Sequence, residues 1–336
     1  MSAVRTHDND SQMNIVQAIN LALDDAMAED PRVIVLGEDV GDRQDGGVTG
    51  VTRGLSNKYG EERVRSTPIA EQAIMGAAIG AAVVGMRPIA EIMLMNFTTV
   101  AMDMIVNHAA KLRFMSGGQT HVPLVIRTMT GAGMGTGGQH SDYLEAWFAH
   151  VAGIKVIAPS CPSDAYGLMR SCIDDDDPCL FIEHLASYWT PGPAPERGIR
   201  TPLGKARVVR EGRDVTLISY SGMVSLCDMV AGKLQNEGVG VELIDLRTVA
   251  PWDVDAVLNS VRKTRRAIVV HEAVRAFGVG AEIAATIGEK LFGELKSPVQ
   301  RIGGAYCPVP FSKPLEAAFM PSATAIEEAI RIALRY

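Results

Sequence analysis

Aromatic residues are scarce: three Trp, seven Tyr and eight Phe amount to 5% of 336 residues. Packing must therefore rest on aliphatic side chains, which dominate a hydrophobic fraction of 47%. The five cysteines, Cys161, Cys172, Cys179, Cys227 and Cys307, form neither a Cys-x-x-Cys pair nor a zinc spacing. That excludes a disulfide scaffold and a zinc ribbon, and predicts free thiols in a reducing cytoplasm. Basic charge is not in excess: 32 Lys and Arg stand against 39 Asp and Glu, a net charge of -7. Without a basic footprint, nucleic acid is not an expected partner. No apolar run reaches the roughly 18 residues of a membrane span, so no membrane contact is expected. Residues 1–10 are polar and carry both signs of charge, unlike a signal or transit peptide, and the expectation is a soluble cytoplasmic protein.

What is present is alternation. Strand-like runs at residues 32–38, 87–93, 123–129, 155–159 and 179–183 are separated by helical patterns at 15–28, 71–84, 100–114 and 164–173. Thr190-Pro191-Gly192-Pro193-Ala194-Pro195 then interrupts the pattern and reads as an exposed connector. It restarts with strands at 214–220, 240–246, 266–272 and 298–302, and helices at 223–237, 253–263, 280–292 and 323–334. The length suits two domains. The predicted fold class is α/β, with two domains that are each a mainly parallel sheet flanked by helices on both faces. The expected division is a first domain over residues 1–190, a linker over 191–204 and a second domain over 205–336.

Two segments point to chemistry. In Thr67-Pro68-Ile69-Ala70-Glu71 a single acid stands at the mouth of a helix of small apolar residues, where a partly desolvated carboxyl can exchange a proton. Between Gly131 and Asp142 lies a glycine-rich loop ending in Gly138-Gln139-His140-Ser141. Its glycines would let backbone approach a ligand, and His140 is a titratable group able to meet developing charge. The loop lacks the Gly-Lys-Ser/Thr ending of a nucleotide P-loop. Four consecutive acids, Asp174 to Asp177, read as a solvated helix end, and His271 as a satisfied structural residue.

The order of Val35-Leu36-Gly37-Glu38-Asp39, Thr67-Pro68-Ile69-Ala70-Glu71, Arg87-Pro88-Ile89-Ala90-Glu91, Met115-Ser116-Gly117-Gly118 and Gly138-Gln139-His140-Ser141 resembles the beta subunit of thiamine-diphosphate-dependent 2-oxo acid dehydrogenases, with acetoin dehydrogenase beta subunits as close relatives. The likeness runs over residues 12–334. It implies a domain holding the pyrimidine ring of thiamine diphosphate, followed by a transketolase C-terminal-like domain used in assembly. Glu71 matches the acid that meets a pyrimidine ring nitrogen, Phe97 the ring that stacks on it, and His140 a catalytic imidazole. A potassium ion is implied at Leu124, Cys172, Ile173, Asp175 and Asp177. Glu91 and His150 are expected in packing or subunit contacts.

Departures from the family pattern are Ser66, Met104 and Asp142, the last a carboxylate expected beside His140. Gly-Asp-Gly followed by Asn, the usual magnesium and diphosphate site, is missing, and Gly41-Asp42-Arg43 does not replace it. The resemblance therefore implies an alpha subunit that supplies magnesium and diphosphate ligands in an α2β2 heterotetramer, and a lipoyl-bearing dihydrolipoyl acyltransferase core docked near Pro308-Val309-Pro310-Phe311. The expected reaction is oxidative decarboxylation of a small 2-oxo acid, pyruvate or branched-chain, with reductive acylation of lipoamide. Ile126-Arg127-Thr128-Met129 and Met320-Pro321-Ser322-Ala323 look acetoin-like, so acetoin cleavage is the alternative, and a non-catalytic assembly subunit the rival from another class.

Overall fold

The structure, a computed structural model, describes residues 12–336. The polar segment 1–10 lies outside the described residues. In chain order the first half runs β1 (Gln12–Met13), α1 (Ile15–Glu29), β2 (Val33–Glu38), α2 (Leu55–Tyr59), β3 (Val64–Thr67), α3 (Glu71–Val83) and β4 (Arg87–Leu94). It continues α4 (Leu112–Met115), β5 (Val125–Thr130), α5 (Glu145–Ala149), β6 (Lys155–Ile157), α6 (Pro162–Asp174), β7 (Cys179–His184) and β8 (Gly192–Pro193). The second half runs β9 (Arg207–Arg210), β10 (Val215–Ser219), α7 (Met223–Gln235), β11 (Val241–Asp245), β12 (Thr248–Ala250) and α8 (Val254–Thr264). It closes with β13 (Ala267–Val274), α9 (Val279–Leu291), β14 (Gln300–Gly304), α10 (Lys313–Phe319) and α11 (Ala323–Leu334).

Two mainly parallel sheets result, one of seven strands ordered β12-β6-β7-β5-β4-β2-β3 and one of five ordered β14-β13-β10-β11-β9. The antiparallel members are edge strands: β12 against β6, and β9 against β11. All six residues of β5 and of β7 are buried, the signature of strands covered by helices on both faces. α1 and α6 cover one face of the first sheet through Ile19, Leu23, Met27, Tyr166 and Met169. α1 starts at a reciprocal cap, Gln17 N donating to Asn14 Oδ1 at 2.9 Å and Asn14 N to Gln17 Oε1 at 3.0 Å, while α6 starts at Pro162.

The other face is covered by α3 together with residues 104–109, and here the expected helix over 100–114 is corrected. Met104–Ala109 is wound as a π-helix, with Ala110 N donating to Ile105 O at 3.0 Å, and α4 is a separate short turn. The buried positions Ala101, Ile105 and Ala109 recur at i, i+4, the spacing of one helix face, and turn toward the sheet.

The domains are not independent bodies. β12, from the second half of the chain, completes the edge of the first sheet. One apolar cluster also runs from Ile74 and Ile92 through Ile218 and Ile244 to Val261 and Ile283, so that α8 and α9 seal both sheets while α7 and α11 cover the outer face of the second. The proline-rich stretch is tied down as well as exposed, because β8 pairs antiparallel with β1.

Candidate active site

Successive parallel strands carry the candidate residues to one edge of the first sheet. β2 ends at Glu38, β3 leads into Glu71, β4 into Phe97, and β5 into the glycine-rich loop with His140. This carboxyl edge is where open α/β sheets bind ligands. Glu71 is the first residue of α3 and 8% exposed, near the positive end of the helix dipole. Phe97 sits in a 3-10 turn, Met95–Thr99, pinned by Thr98 Oγ1 donating to Met95 O at 2.6 Å. Its ring meets His140 edge-on, with centroids 5.6 Å apart and planes at 79°.

Glu38 was not singled out by sequence. Burial pushes its carboxyl above the usual range, and the neighbouring Glu71 carboxylate pushes the same way. Its Oε1 is buried without a partner, as is Nδ1 of His140. Two unpartnered polar atoms at one edge of a sheet are what a polar ligand would satisfy, so the residues present fit a cofactor with ring nitrogens. Beneath them, buried Arg127 reaches Glu91 Oε2 at 2.6 Å and Glu183 at 2.6 and 2.8 Å, placing Glu91 in a packing role. His150 is exposed.

The departures resolve into structural contacts. The Asp142 carboxylate accepts from Asn96 Nδ2 at 2.9 Å, and burial raises it against that bond, so its partner is Asn96. Ser66 Oγ accepts from Gly41 N at 2.8 Å and donates to Gln44. Met104 begins the π-helix facing Gly76 of α3. Asp42 accepts from Gly54 N, from Ser56 Oγ at 2.8 Å and from Asn57 N at 2.7 Å, and so caps α2. Burial raises the Asp42 carboxyl, but those donors outweigh it and hold it low.

The potassium residues lie at the opposite edge of the sheet, where β5 and β7 begin. Arg87 Nη1 donates to Ile173 O at 2.9 Å and Asp175 O at 3.1 Å, and Cys179 N to Leu124 O at 2.9 Å. Lys155 Nζ binds Asp175 at 2.8 Å, and Arg113 binds Asp177 at 2.6 Å.

Residues 11–189 match the transketolase pyrimidine binding domain and residues 204–326 the transketolase C-terminal domain. The beta subunit of acetoin:2,6-dichlorophenolindophenol oxidoreductase from Cupriavidus necator is 44% identical over 95% of this chain and 97% of its own. This chain belongs to the transketolase-like family of dehydrogenase beta subunits. The pyruvate dehydrogenase E1 component subunit beta-1 of Arabidopsis thaliana, another member, is 42% identical over 96% of this chain and 89% of its own. Among solved structures, a split-gene transketolase described as an inactive beta4 tetramer shares the fold of this family member with a TM-score of 0.79 and 21% identity, over 96% of this chain and 98% of its own.

Within that family fold, His271 corrects the expectation of a satisfied residue. Nδ1 meets Ala273 O at 3.0 Å, but Nε2 is buried without a partner. Burial holds its pKa down at about 4.

Proposed function

We propose that this chain is the beta subunit of a 2-oxo acid dehydrogenase, catalysing oxidative decarboxylation with reductive acylation of lipoamide. The observation that carries the proposal is the gathering of Glu71, Glu38, Phe97 and His140 at the carboxyl edge of the first sheet. Bound thiamine diphosphate would supply a nucleophilic thiazolium carbon. Glu71 would hold a proton at a pyrimidine ring nitrogen. Phe97 would offer a ring face to the pyrimidine. His140 would donate to an oxygen on which negative charge develops.

The commitment of Asp42 to capping α2 supports a division of labour in which an alpha subunit holds magnesium and the diphosphate. The proposed assembly is the α2β2 heterotetramer, serving a lipoyl-bearing acyltransferase core. We further propose the division into residues 1–190, a linker over 191–204, and residues 205–336. Potassium is assigned to the carbonyls of Leu124, Cys172, Ile173, Asp175 and Asp177; those of Leu124, Ile173 and Asp175 each accept one protein donor and keep a second lone pair. Five free thiols support a cytoplasmic location. No helix among the described residues is long and apolar enough to cross a membrane.

Acetoin cleavage is the second reading, favoured by the 44% identity to the acetoin oxidoreductase subunit. The test is dye-linked turnover of pyruvate, branched 2-oxo acids and acetoin by the chain mixed with an alpha subunit, thiamine diphosphate and magnesium. The complex is expected to turn over one of these, and Glu71→Gln to lower its kcat by about 100-fold or more. A tight complex with no turnover on any of the three would replace the enzyme reading with that of an assembly subunit.

A further inference from the structure

The glycine-rich loop has a second occupant besides any ligand at its tip. Its amides are not free. Ala132 N donates to Glu272 Oε1 at 2.6 Å, Gly133 N to Glu316 Oε1 at 2.7 Å, and Gly135 N to both Glu316 oxygens at 3.1 and 3.2 Å. Successive amides of a glycine-rich turn form a concavity for an anion, and here the anion is a side chain of the other domain. Glu272 lies on β13 and Glu316 on α10, 4% and 3% exposed. Glu272 is itself held, its Oε2 meeting His184 Nε2 at 2.7 Å. Amide donation to a carboxylate is charge-assisted and therefore among the stronger hydrogen bonds.

Packing follows the same line. Ala132 shares a small apolar cluster with Val309 and Phe319 of the second domain. A Cβ on Gly137, which has φ +75°, would lie 2.4 Å from the Phe311 ring, and one on Gly131, with φ +119°, would lie 2.8 Å from His184. Gly137 thus admits the second domain and Gly131 the His184 ring that holds Glu272, which is a different use from admitting a ligand. The segment expected to dock an acyltransferase core thus lies partly over the loop. From the clamped amides the chain reaches His140 in a few residues, tied by Thr136 Oγ1 to Ser141 Oγ at 2.6 Å and by Asn96 Nδ2 to Gly138 O at 3.1 Å.

We propose that Glu316, together with Glu272, is a positioning residue: the two carboxylates of the second domain fix the amides of residues 132–135 and thereby hold His140 against Phe97. This rests on the proposed catalytic role of His140, and it gives the second domain a part in the site beyond assembly.

The test uses the complex of this chain with its alpha subunit, carrying Glu316→Gln or Glu272→Gln. Glu327→Gln, on an exposed ion pair of α11, serves as control. Hydrogen exchange of the peptide spanning residues 131–140 is expected to quicken by about 10-fold in Glu316→Gln, since the neutral amide loses the charge assistance of both bonds and sets an NH2 group where the second oxygen accepts from Gly135. Exchange in β10 and β11 should stay unchanged. On the substrate that the wild type turns over, kcat should fall by about 10-fold while KM moves far less, because binding groups elsewhere are intact. In Glu272→Gln, quickening is expected at the Ala132 end of the same peptide. Unchanged exchange at 131–140 in both variants, or quickening spread across the second domain, overturns the latch. Quickened exchange with unaltered kcat overturns the positioning of a catalytic His140. A wild-type complex inactive on all substrates would defeat the proposed function, and the exchange arm would still decide the latch.

Discussion

Glu145 is completely buried, one oxygen accepting from Tyr220 OH at 2.5 Å and the other without a partner. Burial pushes its carboxyl from 4.5 up to about 7. The folded chain therefore keeps a proton that the unfolded chain has lost, and stability falls as pH rises through that window, by on the order of 3 kcal/mol. His271 works in the opposite sense. Held down at about 4 against an ordinary 6.5, it is neutral where the unfolded chain is protonated, so its contribution rises with pH between those values. The two trends oppose each other below about pH 6.5 and Glu145 acts alone just above it. Glu145→Gln is expected to remove the falling limb, so that the melting midpoint rises from acid to neutral pH and then levels. Melting curves from pH 5 to 8 check this, and a profile identical to the wild type would relocate the raised acid. At this scale chemistry and motif together pointed to Glu71, Phe97 and His140, and the strand order carries all three to the carboxyl edge of the first sheet. Glu38 escaped notice because its perturbation comes first from burial at the end of β2 and then from Glu71, 33 positions away. Glu272 and Glu316 escaped because they meet the loop at separations of 140 and 183 residues.

Strands buried on both faces were readable as apolar runs, and the long helices as the helical patterns between them. What was not readable was short or one-sided. In β3 Val64 alone is buried, which leaves no alternation, and β12 has three residues whose pairing depends on the first sheet already being there. The π winding at 104–109 was not readable, because its buried i, i+4 spacing is also that of an ordinary helix. The turn from α6 to β7 poses an element-scale question, because Arg87 already donates to two of the carbonyls assigned to potassium while Lys155 and Arg113 pair with the neighbouring Asp175 and Asp177 carboxylates. If the ion binds there, it stabilises the folded chain by mass action. Replacing NaCl by KCl at equal ionic strength is expected to raise the melting midpoint. An unchanged midpoint would leave the three basic side chains as the whole counter-charge of the turn.

At the scale of the molecule, burial is good in the core and conspicuously poor on one side. A cleft of about 1370 Å³ where the two halves of the chain meet is bordered by Met102, Trp147, His150, Trp252, Phe277 and Tyr306. In a chain with so few aromatics, Phe277 is 87% exposed, Tyr306 77% and Trp147 50%. Phe277 also holds φ at +60°, a left-handed conformation that bulky residues rarely adopt, so both its ring and its backbone are set outward at a cost. Exposed aromatics grouped at a cleft are the residues on which subunit association concentrates its energy. For the proposed assembly, the alpha-subunit contact is expected here. Phe277→Asp removes the ring while Asp tolerates the left-handed backbone, so the isolated chain should keep its melting midpoint within about 2 °C. The affinity for the alpha subunit, read by titration calorimetry, should fall by about tenfold or more. Turnover of the mixed subunits should then return as alpha is raised in excess, because Phe277 acts on assembly and not on the chemistry at Glu71. An unweakened affinity would move the contact to another face, with the exposed Phe114 and Met115 of α4 as the next apolar surface.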